Sequence, residues 1–571
     1  MFALPPGQHF EREQLPKAAS PPVVLPAREQ SYHHHYQLGQ HFKQAGNLVR
    51  AQAEYQQAIH ELERQRSQLI IEQRTNFFAD KQMVYEDMVD LCLDLQQPTQ
   101  ALAYAELAKS RTLADLLAMQ VDLGANRSTY AEQPWAAALR HLRQARDQVV
   151  EAWQEPEEMH LRGGASTRSP ASPKPQLSAM SLMVTEAEQR LATLWGSVRP
   201  RKCTFAQKTT PSFTTSKAVQ ACLEPDTALV EYFVIQGRFV AFVITAEHIY
   251  AQRLPGTLPQ VQQLLRFLQL NLKAVGRSTP VQLENLTRNA NHLLLRLYHQ
   301  LFAPLHEALA TYPRLIIVPH SLLHQLAFSA LYDGQTYLIE QHEISYLPRA
   351  SLLPYCVLAA QRTAATKVTE KTGGVITFGY SVGGRLPFAA QEARQVAQLM
   401  NGAAFLEEAA TTAQIRKVAG QCRLLHLATH GNFCTDNPHF SGLALADGWL
   451  TMLDILELRL QTSLVTLSAC QTGCQVVASG DELVGLMRAF LVSGTASLVA
   501  CLWPVEDQAT QQFMAHFYQK LADGWTKGAA LQAAQVHLLH SRDRADGSAS
   551  AVYLHPYFWA PFCLVGASGV L

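Results

Sequence analysis

No stretch of this 571-residue chain reads as a continuous apolar bilayer span. The three long uncharged runs, 460–480, 489–505 and 547–571, are each broken by Gly, Pro or small polar residues, whereas a spanning helix needs about 20 predominantly apolar residues. An apolar signal core is missing from residues 1–30, which are rich in Pro and polar side chains. Net charge is missing as well: Lys plus Arg and Asp plus Glu both count 47, with a pI of about 7.3. No global basic field argues for nucleic acid or an anionic membrane. The ten cysteines show no paired metal-type spacing, and a chain of this size does not need disulfide staples, which favours a reducing compartment. Gly373, Gly374, Gly379, Gly383 and Gly384 fit neither a P-loop nor a dinucleotide fingerprint. These absences lead to the expectation of a cytoplasmic protein with no cofactor, no metal, no membrane and no direct nucleic-acid partner.

What is present concentrates between Arg423 and Gly473. Two short apolar runs, 424–429 and 464–469, each end in residues able to do chemistry: His430-Gly431 after the first, Cys470-Gln-Thr-Gly473 after the second. Short apolar runs bounded by turn formers read as buried strands of a parallel sheet. Helical sequence at 452–460 and 482–491 supplies strand–helix–strand crossovers. If the strands are neighbours, about 4.8 Å apart, His430 and Cys470 meet at the carboxyl edge, where open parallel sheets place their ligands. An imidazole beside a thiol takes its proton or stabilises the thiolate. The backbone N–H groups of Gly431 and Cys470 then stand as oxyanion donors.

His-Gly closing one strand and Ala-Cys closing the next resembles the signature of the caspase-like cysteine peptidases. The fuller set is narrower: His426-Leu-Ala-Thr-His430-Gly431, Leu467-Ser-Ala-Cys470-Gln-Thr-Gly473, Ala500-Cys-Leu-Trp503-Pro-Val and His555-Pro-Tyr-Phe-Trp-Ala-Pro-Phe562. Together these are similar to the CHAT domain, the caspase-like domain attached to tetratricopeptide repeats, over most of the chain from about Thr204 to Gly566. The resemblance implies a C-terminal α/β three-layer sandwich made of a pseudo-caspase half (204–362) and a catalytic half (374–571). It also implies a cysteine endopeptidase, of the kind found in regulated bacterial proteolysis, with His430 and Cys470 as the dyad. Some relatives are controlled by partner proteins, including an RNA-guided effector in one branch.

The rest of the chain is organised around that domain. Residues 1–30 are expected to be disordered and 31–120 to be helical repeats of tetratricopeptide type, on the pattern Leu38-Gly39-x-x-Phe42, Ala51, Tyr55, Ala58 and again Tyr85, Met88, Cys92, Ala101, Ala105, Ala108. Two readings stand for this region: a peptide-binding solenoid, or a helical cap packed on the α/β body. Consecutive His33, His34 and His35 point in different directions on a helix, which argues against a metal there. Residues 121–203 read as a helical hairpin interrupted by a mobile Pro/Ser/Gly-rich loop at 155–177. In the first half His324 reads as structural, a partner to backbone, and Cys356 lies in an apolar helix.

Several residues near the dyad admit two roles. His426 shares a strand face with His430 and either orients the base or is a buried histidine satisfied by backbone. Asp481 and Glu482 either line a pocket for a basic substrate residue or are first-turn acids favoured by the helix dipole. Cys470 and Cys474 could form a redox pair. The expected activity is cleavage of a specific protein substrate, in a latent enzyme switched by a regulatory protein partner through the helical region and its groove at Phe42, Tyr55 and Tyr85. The alternative is a catalytically silent scaffold or interaction module.

Overall fold

The computed structural model describes residues 27–67, 81–109, 214–276, 278–365, 374–384, 386–432, 442–458, 460–468, 481–541 and 553–571. The expected disordered segment before Ala27, the hairpin and loop at 121–203, and Cys470 and Cys474 lie outside them.

The chain divides after Ser67 into two compact units. The first holds α1 (Ala27–Gln44) and α2 (Leu48–Ser67), joined across Gly46, whose φ of 76° suits glycine. A Cβ on Gly39 would stand 2.4 Å from the Tyr55 ring, so glycine there lets the two helices close on that ring. This is the physical content of the repeat pattern: Ala51, Tyr55 and Ala58 are all fully buried. The expected boundary at residue 30 falls inside α1. His35 does not gather metal ligands but pairs with Glu54, Nδ1 to Oε2 at 2.7 Å.

The second unit begins with α3 (Gln82–Asp94) and α4 (Pro98–Ala108). The expected helical region 31–120 is therefore split, and α3–α4 belong to the α/β body. Tyr55 and Tyr85, expected in a peptide groove, are fully buried.

The acidic face of α3 lies along β1 (Thr227–Ile235), β2 (Arg238–Ile244) and β3 (Ile249–Thr257). Arg253 reaches Asp90 and Asp94 at 2.6 and 2.8 Å, and the Gln236 N–H donates to Glu86 at 2.8 Å. Gln236 and Gly237 both have positive φ (47° and 76°), the backbone of the tight hairpin turn expected there. At the end of α4 four charged side chains are buried together: Glu106, Lys109, Glu231 of β1 and Arg349.

The body is carried by one large sheet. Its further strands are β4 (Arg314–Val318), β5 (Glu343–Tyr346), β6 (Val375–Gly379), β7 (Ala403–Leu406) and β8 (Leu424–Ala428). A separate three-stranded sheet follows in the chain, made of β9 (Gly431–Asn432), β10 (Gly442–Leu445) and β11 (Gly448–Thr451). The large sheet resumes with β12 (Leu464–Ser468), β13 (Ser497–Cys501) and β14 (Phe562–Gly566). Its eleven strands run in the order β3-β2-β1-β4-β5-β14-β13-β12-β8-β6-β7. Every residue of β6, β8, β12 and β14 is buried, so these strands are covered on both faces and form the middle of three layers. The two halves are not separate bodies: β5 of the first pairs in parallel with β14 of the second. One apolar core runs from α5 (Leu258–Val275) and α6 (Pro280–Leu301) to helices of the second half.

In the second half the chain order reverses at β6. The strand that follows it, β7, lies on one side and β8 on the other, after which β12 and β13 add outward. A reversal of this kind opens a crevice at the carboxyl ends of the flanking strands. The helices that matter around it are α7 (Leu353–Ala365), α8 (Ala389–Leu399), α9 (Thr412–Val418), α10 (Met452–Glu457), α11 (Asp481–Val492), α12 (Asp507–Ala522), α13 (Lys527–Leu539) and α14 (Pro556–Trp559). At Gly379 a Cβ would come within 2.8 Å of Ala390 and Ala393, so this glycine serves the close packing of β6 on α8. Between β8 and β12 the three-stranded sheet takes the place of a plain crossover.

The histidine of the His-Pro-Tyr-Phe-Trp motif is structural. His555 Nδ1 accepts the Tyr557 N–H at 3.0 Å, capping α14, while Nε2 faces Asn271 Oδ1 at 2.9 Å. Burial lowers its pKa from 6.5 to about 4. A proton on Nδ1 would remove the cap and leave a buried cation. Because the folded value lies below the unfolded one, the unfolded state binds more protons between them, and stability falls as pH drops from 6.5 towards 4. The expected loss at pH 4 is on the order of 3 kcal/mol from this residue. Urea titrations from pH 7 to pH 4 should show His555→Asn, whose amide oxygen can still cap, with a shallower pH slope; an equal slope in both would refute the assignment.

Candidate active site

The site starts from two strands in register. Leu424 pairs with Leu464, and the ladder continues through Thr466↔His426 to Ser468↔Ala428. One residue further, the Thr429 N–H donates to the Ser468 carbonyl at 3.3 Å. On the other side of β8, the Tyr380 N–H donates to the Ala428 carbonyl at 3.0 Å. His430 therefore leaves β8 beside the reversal of strand order, two residues past Ala428. Cys470 stands two residues past Ser468 in the sequence and lies outside the described residues.

The three-stranded sheet clamps His430 by its backbone. The Ala444 N–H donates to the His430 carbonyl at 2.8 Å, and the Thr429 hydroxyl donates to the Ala444 carbonyl at 2.5 Å. Gly431 then faces Leu443 as the narrow, non-hydrogen-bonded kind of antiparallel pair. Its N–H takes no part in the ladder with β10. The imidazole of His430 meets the Trp449 indole edge-on, with ring centroids 6.2 Å apart at 66°.

Beneath this edge lies a buried polar group that sequence reasoning does not resolve. His426 is fully buried, but its partners are side chains and not backbone. Its Nε2 lies 3.2 Å from Glu392 Oε1 on α8, and its Nδ1 lies 3.0 Å from the Tyr518 hydroxyl on α12. That hydroxyl in turn donates to Thr466 Oγ1 of β12 at 2.7 Å. The chain of contacts ties β8 to β12, the two strands that carry the candidate dyad. His426 Nε2 and Glu392 Oε1 approach closely but do not reach hydrogen-bond geometry, so the bonded link of this group runs through Tyr518. A polar residue in the same phase of two adjacent apolar runs is the available signal; Glu392 and Tyr518, far off in sequence, give none.

Other candidates fall away from the crevice or stay outside the described atoms. Asp481 and Glu482 open α11, but their side chains are not among those described, so no pocket is built on them. Cys356 is fully buried in α7, and burial pushes its thiol up to about 12, which makes it inert. In the first half His320 Nδ1 accepts the Val234 N–H at 3.2 Å and His342 Nδ1 meets the Tyr312 carbonyl at 2.8 Å, while His324 lies in the short 3-10 turn after His320. Ser381, after β6, donates from N–H and hydroxyl to Glu407 at 3.2 and 2.8 Å, shaping the far wall of the crevice. Among the described residues no group of three or more His, Cys, Asp and Glu could hold a metal ion, and no helix is long and apolar enough to cross a membrane.

The class of protein defined so far is a three-layer α/β protein with a histidine at the switch point of its sheet. Residues 291–567 match the model of the CHAT domain. The chain is 26% identical over 344 residues to tetratricopeptide repeat protein 28 of Mus musculus, which covers 50% of this chain and 14% of that protein. It is 27% identical over 222 residues to tetratricopeptide repeat protein 28 of Homo sapiens, covering 32% of this chain and 8% of the relative. The chain thus spans a small part of the curated relatives it matches. Among solved structures, the Saccharomyces cerevisiae separase–securin complex is similar with a TM-score of 0.42 and 10% identity, over 94% of this chain and 53% of that one. The Arg specific cysteine proteinase gingipain R aligns with a TM-score of 0.34 and 13% identity, over 50% of this chain and 69% of that one.

Proposed function

We propose that the chain is a cysteine endopeptidase in which Cys470 is the nucleophile and His430 the general base and then acid. The observation that carries the reading is the shared register: His430 and Cys470 each follow, by the same two residues, a directly paired position on neighbouring parallel strands. In this mechanism His430 takes the Cys470 proton and the thiolate attacks the scissile carbonyl carbon. The oxygen of the tetrahedral intermediate, now negative, is held by the N–H groups of Gly431 and Cys470. His430 returns the proton to the leaving amine, the C–N bond breaks, and water activated by His430 releases the acyl group from sulfur.

The substrate is a specific protein, and control is exerted by a protein partner on the N-terminal helices. With Tyr55 and Tyr85 buried, that contact falls on outward faces of the helices, such as the half-buried Phe42. A pocket at Asp481 and Glu482 for a basic substrate residue remains part of the proposal.

A thiol-reactive peptide warhead tests the reading directly. Cys470 should be labelled, identified by peptide mapping, and His430→Ala should slow labelling by roughly 10²-fold or more, the worth of a positioned base. The name shared by the relatives refers to repeats and not to an activity, which keeps the scaffold reading in play. Labelling of Cys470 no faster than of the other cysteines, and indifferent to His430, would favour the scaffold.

A further inference from the structure

A histidine that must take a proton from one group and return it to another works only if its ring is held in one orientation. In this fold the backbone of His430 is clamped, but a clamp on the carbonyl leaves the side-chain torsions to be set by neighbours. One such neighbour is Trp449, which belongs to the same clamp. Trp449 on β11 is the direct cross-strand partner of Ala444, and Ala444 is the residue whose N–H holds the His430 carbonyl. One strand pair therefore fixes both the base's main chain and the ring against its side chain.

The hairpin that carries Trp449 is tied down at both ends. On the turn side, Asp447 accepts the Thr412 N–H, the Thr412 hydroxyl and the Ala413 N–H at 2.6, 2.9 and 3.2 Å, and so caps α9. The Ala446 N–H donates to the Ala410 carbonyl at 2.9 Å. Gly448, with φ of 134°, adopts the backbone that this turn needs and that other residues rarely reach. On the far side Thr451 caps α10 in a reciprocal box with Asp454, which Arg416 of α9 also grips at 2.5 Å. The two residues before and the two after Trp449 thus include anchors to separate helices. Its indole is half-buried and has little freedom to leave the imidazole.

We propose that Trp449 is a positioning residue of His430, holding the imidazole edge-on at the carboxyl end of β8. An edge-on aromatic contact of this kind favours one ring orientation over the others. The inference rests on the reading of His430 as the general base.

The test separates the contact from the chemistry. In the full chain labelled at the histidine Cε1 carbons, the His430 signal is assigned as the one lost in His430→Gln. Trp449→Ala should move that signal by removing the indole ring current, and Trp449→Phe should move it less. In peptide turnover, Trp449→Ala should lower kcat by roughly 10- to 100-fold, as small misplacements of a reacting group do. KM should stay within about threefold, and Trp449→Phe should restore most of the loss, since the ground-state binding surface is not what has been removed. A His430 signal that stays in place in Trp449→Ala overturns the proposal. So does a signal that moves while kcat does not. Should Trp449→Ala fail to fold, the Trp449→Phe shift and kcat give the same two comparisons at smaller amplitude. If no form of the full chain turns over, wild type included, the comparison is repeated after removing residues 1–67, the helical unit proposed to hold it latent; no turnover there either defeats the peptidase reading, and the positioning role falls with it.

Discussion

Arg349→Leu is expected to lower the stability of the α/β unit by about 3–5 kcal/mol, the range found when one member of a buried ion pair is removed. The arginine donates from Nη2 to the Glu106 backbone carbonyl at 2.5 Å and lies 3.3 Å from the Glu106 carboxylate. That carboxylate also accepts the N–H groups of Ala350 and Ser351 at 3.2 and 3.4 Å. Lys109 closes the cluster against Glu231, Nζ to Oε1 at 2.7 Å. Burial alone would push Glu106 up; the Arg349 charge, helped by its hydrogen bonds and by Lys109, more than reverses this and holds it low. Glu231 goes the other way, raised by burial and by the negative Glu106 beside it. Without Arg349 the charge on Glu106 has no equal compensation in a site where all four side chains are buried. Urea denaturation followed by tryptophan fluorescence measures the loss. Arg349→Leu combined with Glu106→Leu should cost less than the two single changes added together, because the pair leaves no orphan charge. Strict additivity, or a single-variant loss under about 1 kcal/mol, would mean that the cluster does not hold α4 to the body.

The same cluster decides how the N-terminal helices can be studied. Deletion of residues 1–120 removes Glu106 and Lys109 and leaves Arg349 and Glu231 without these partners. A protein so cut is disabled by its own core, whatever α1 and α2 do. The division after Ser67 is the better place to separate the helices. Latency enforced by those helices would show as activity gained on their removal, because a partner or a deletion shifts an equilibrium only through the state it favours.

The sequence is legible where one local pattern carries the outcome. Apolar runs of four to six residues ending in His-Gly and Ser-Ala-Cys read as strands, and β8 and β12 are neighbours in register. The turn at Gln236-Gly237 and the helices α9, α12 and α13 likewise follow from turn formers and apolar spacing. Legibility fails where distant residues decide. Glu106 and Glu231 look like surface acids until Arg349, more than a hundred positions on, is found against them. Backbone is the expected partner of His426 because nothing near it in sequence suggests Glu392 or Tyr518. The hairpin β10–β11 escapes a sequence reading because its strands are four residues each, too short for alternation to register, and because the helical run after Thr451 dominates the window. Trp449 stays hidden for the same reason.

Cys470→Ala is expected to abolish peptide turnover, with a loss of roughly 10⁴- to 10⁶-fold in kcat, since the nucleophile has no substitute in the mechanism. His430→Ala removes the base and should cost roughly 10²- to 10⁴-fold. The two together should be no worse than Cys470→Ala alone, because residues that act as a unit are not additive. The physical reason lies in the proposed mechanism: β8 and β12 end in register, and a thiol and imidazole that serve one reacting atom leave neither with separate work once the other is gone. The variants should fold as the wild type does, since both positions follow the ends of strands whose core contacts are made before them. The assay is single-turnover cleavage of a peptide library by full-length protein, with far-ultraviolet circular dichroism as the check on folding. Residual turnover in Cys470→Ala within about tenfold of wild type would remove Cys470 from the chemistry. A double variant that loses the product of both single effects would separate the two residues into independent roles. The first result would leave the carboxyl edge of β8 and β12 as a binding site and move catalysis elsewhere.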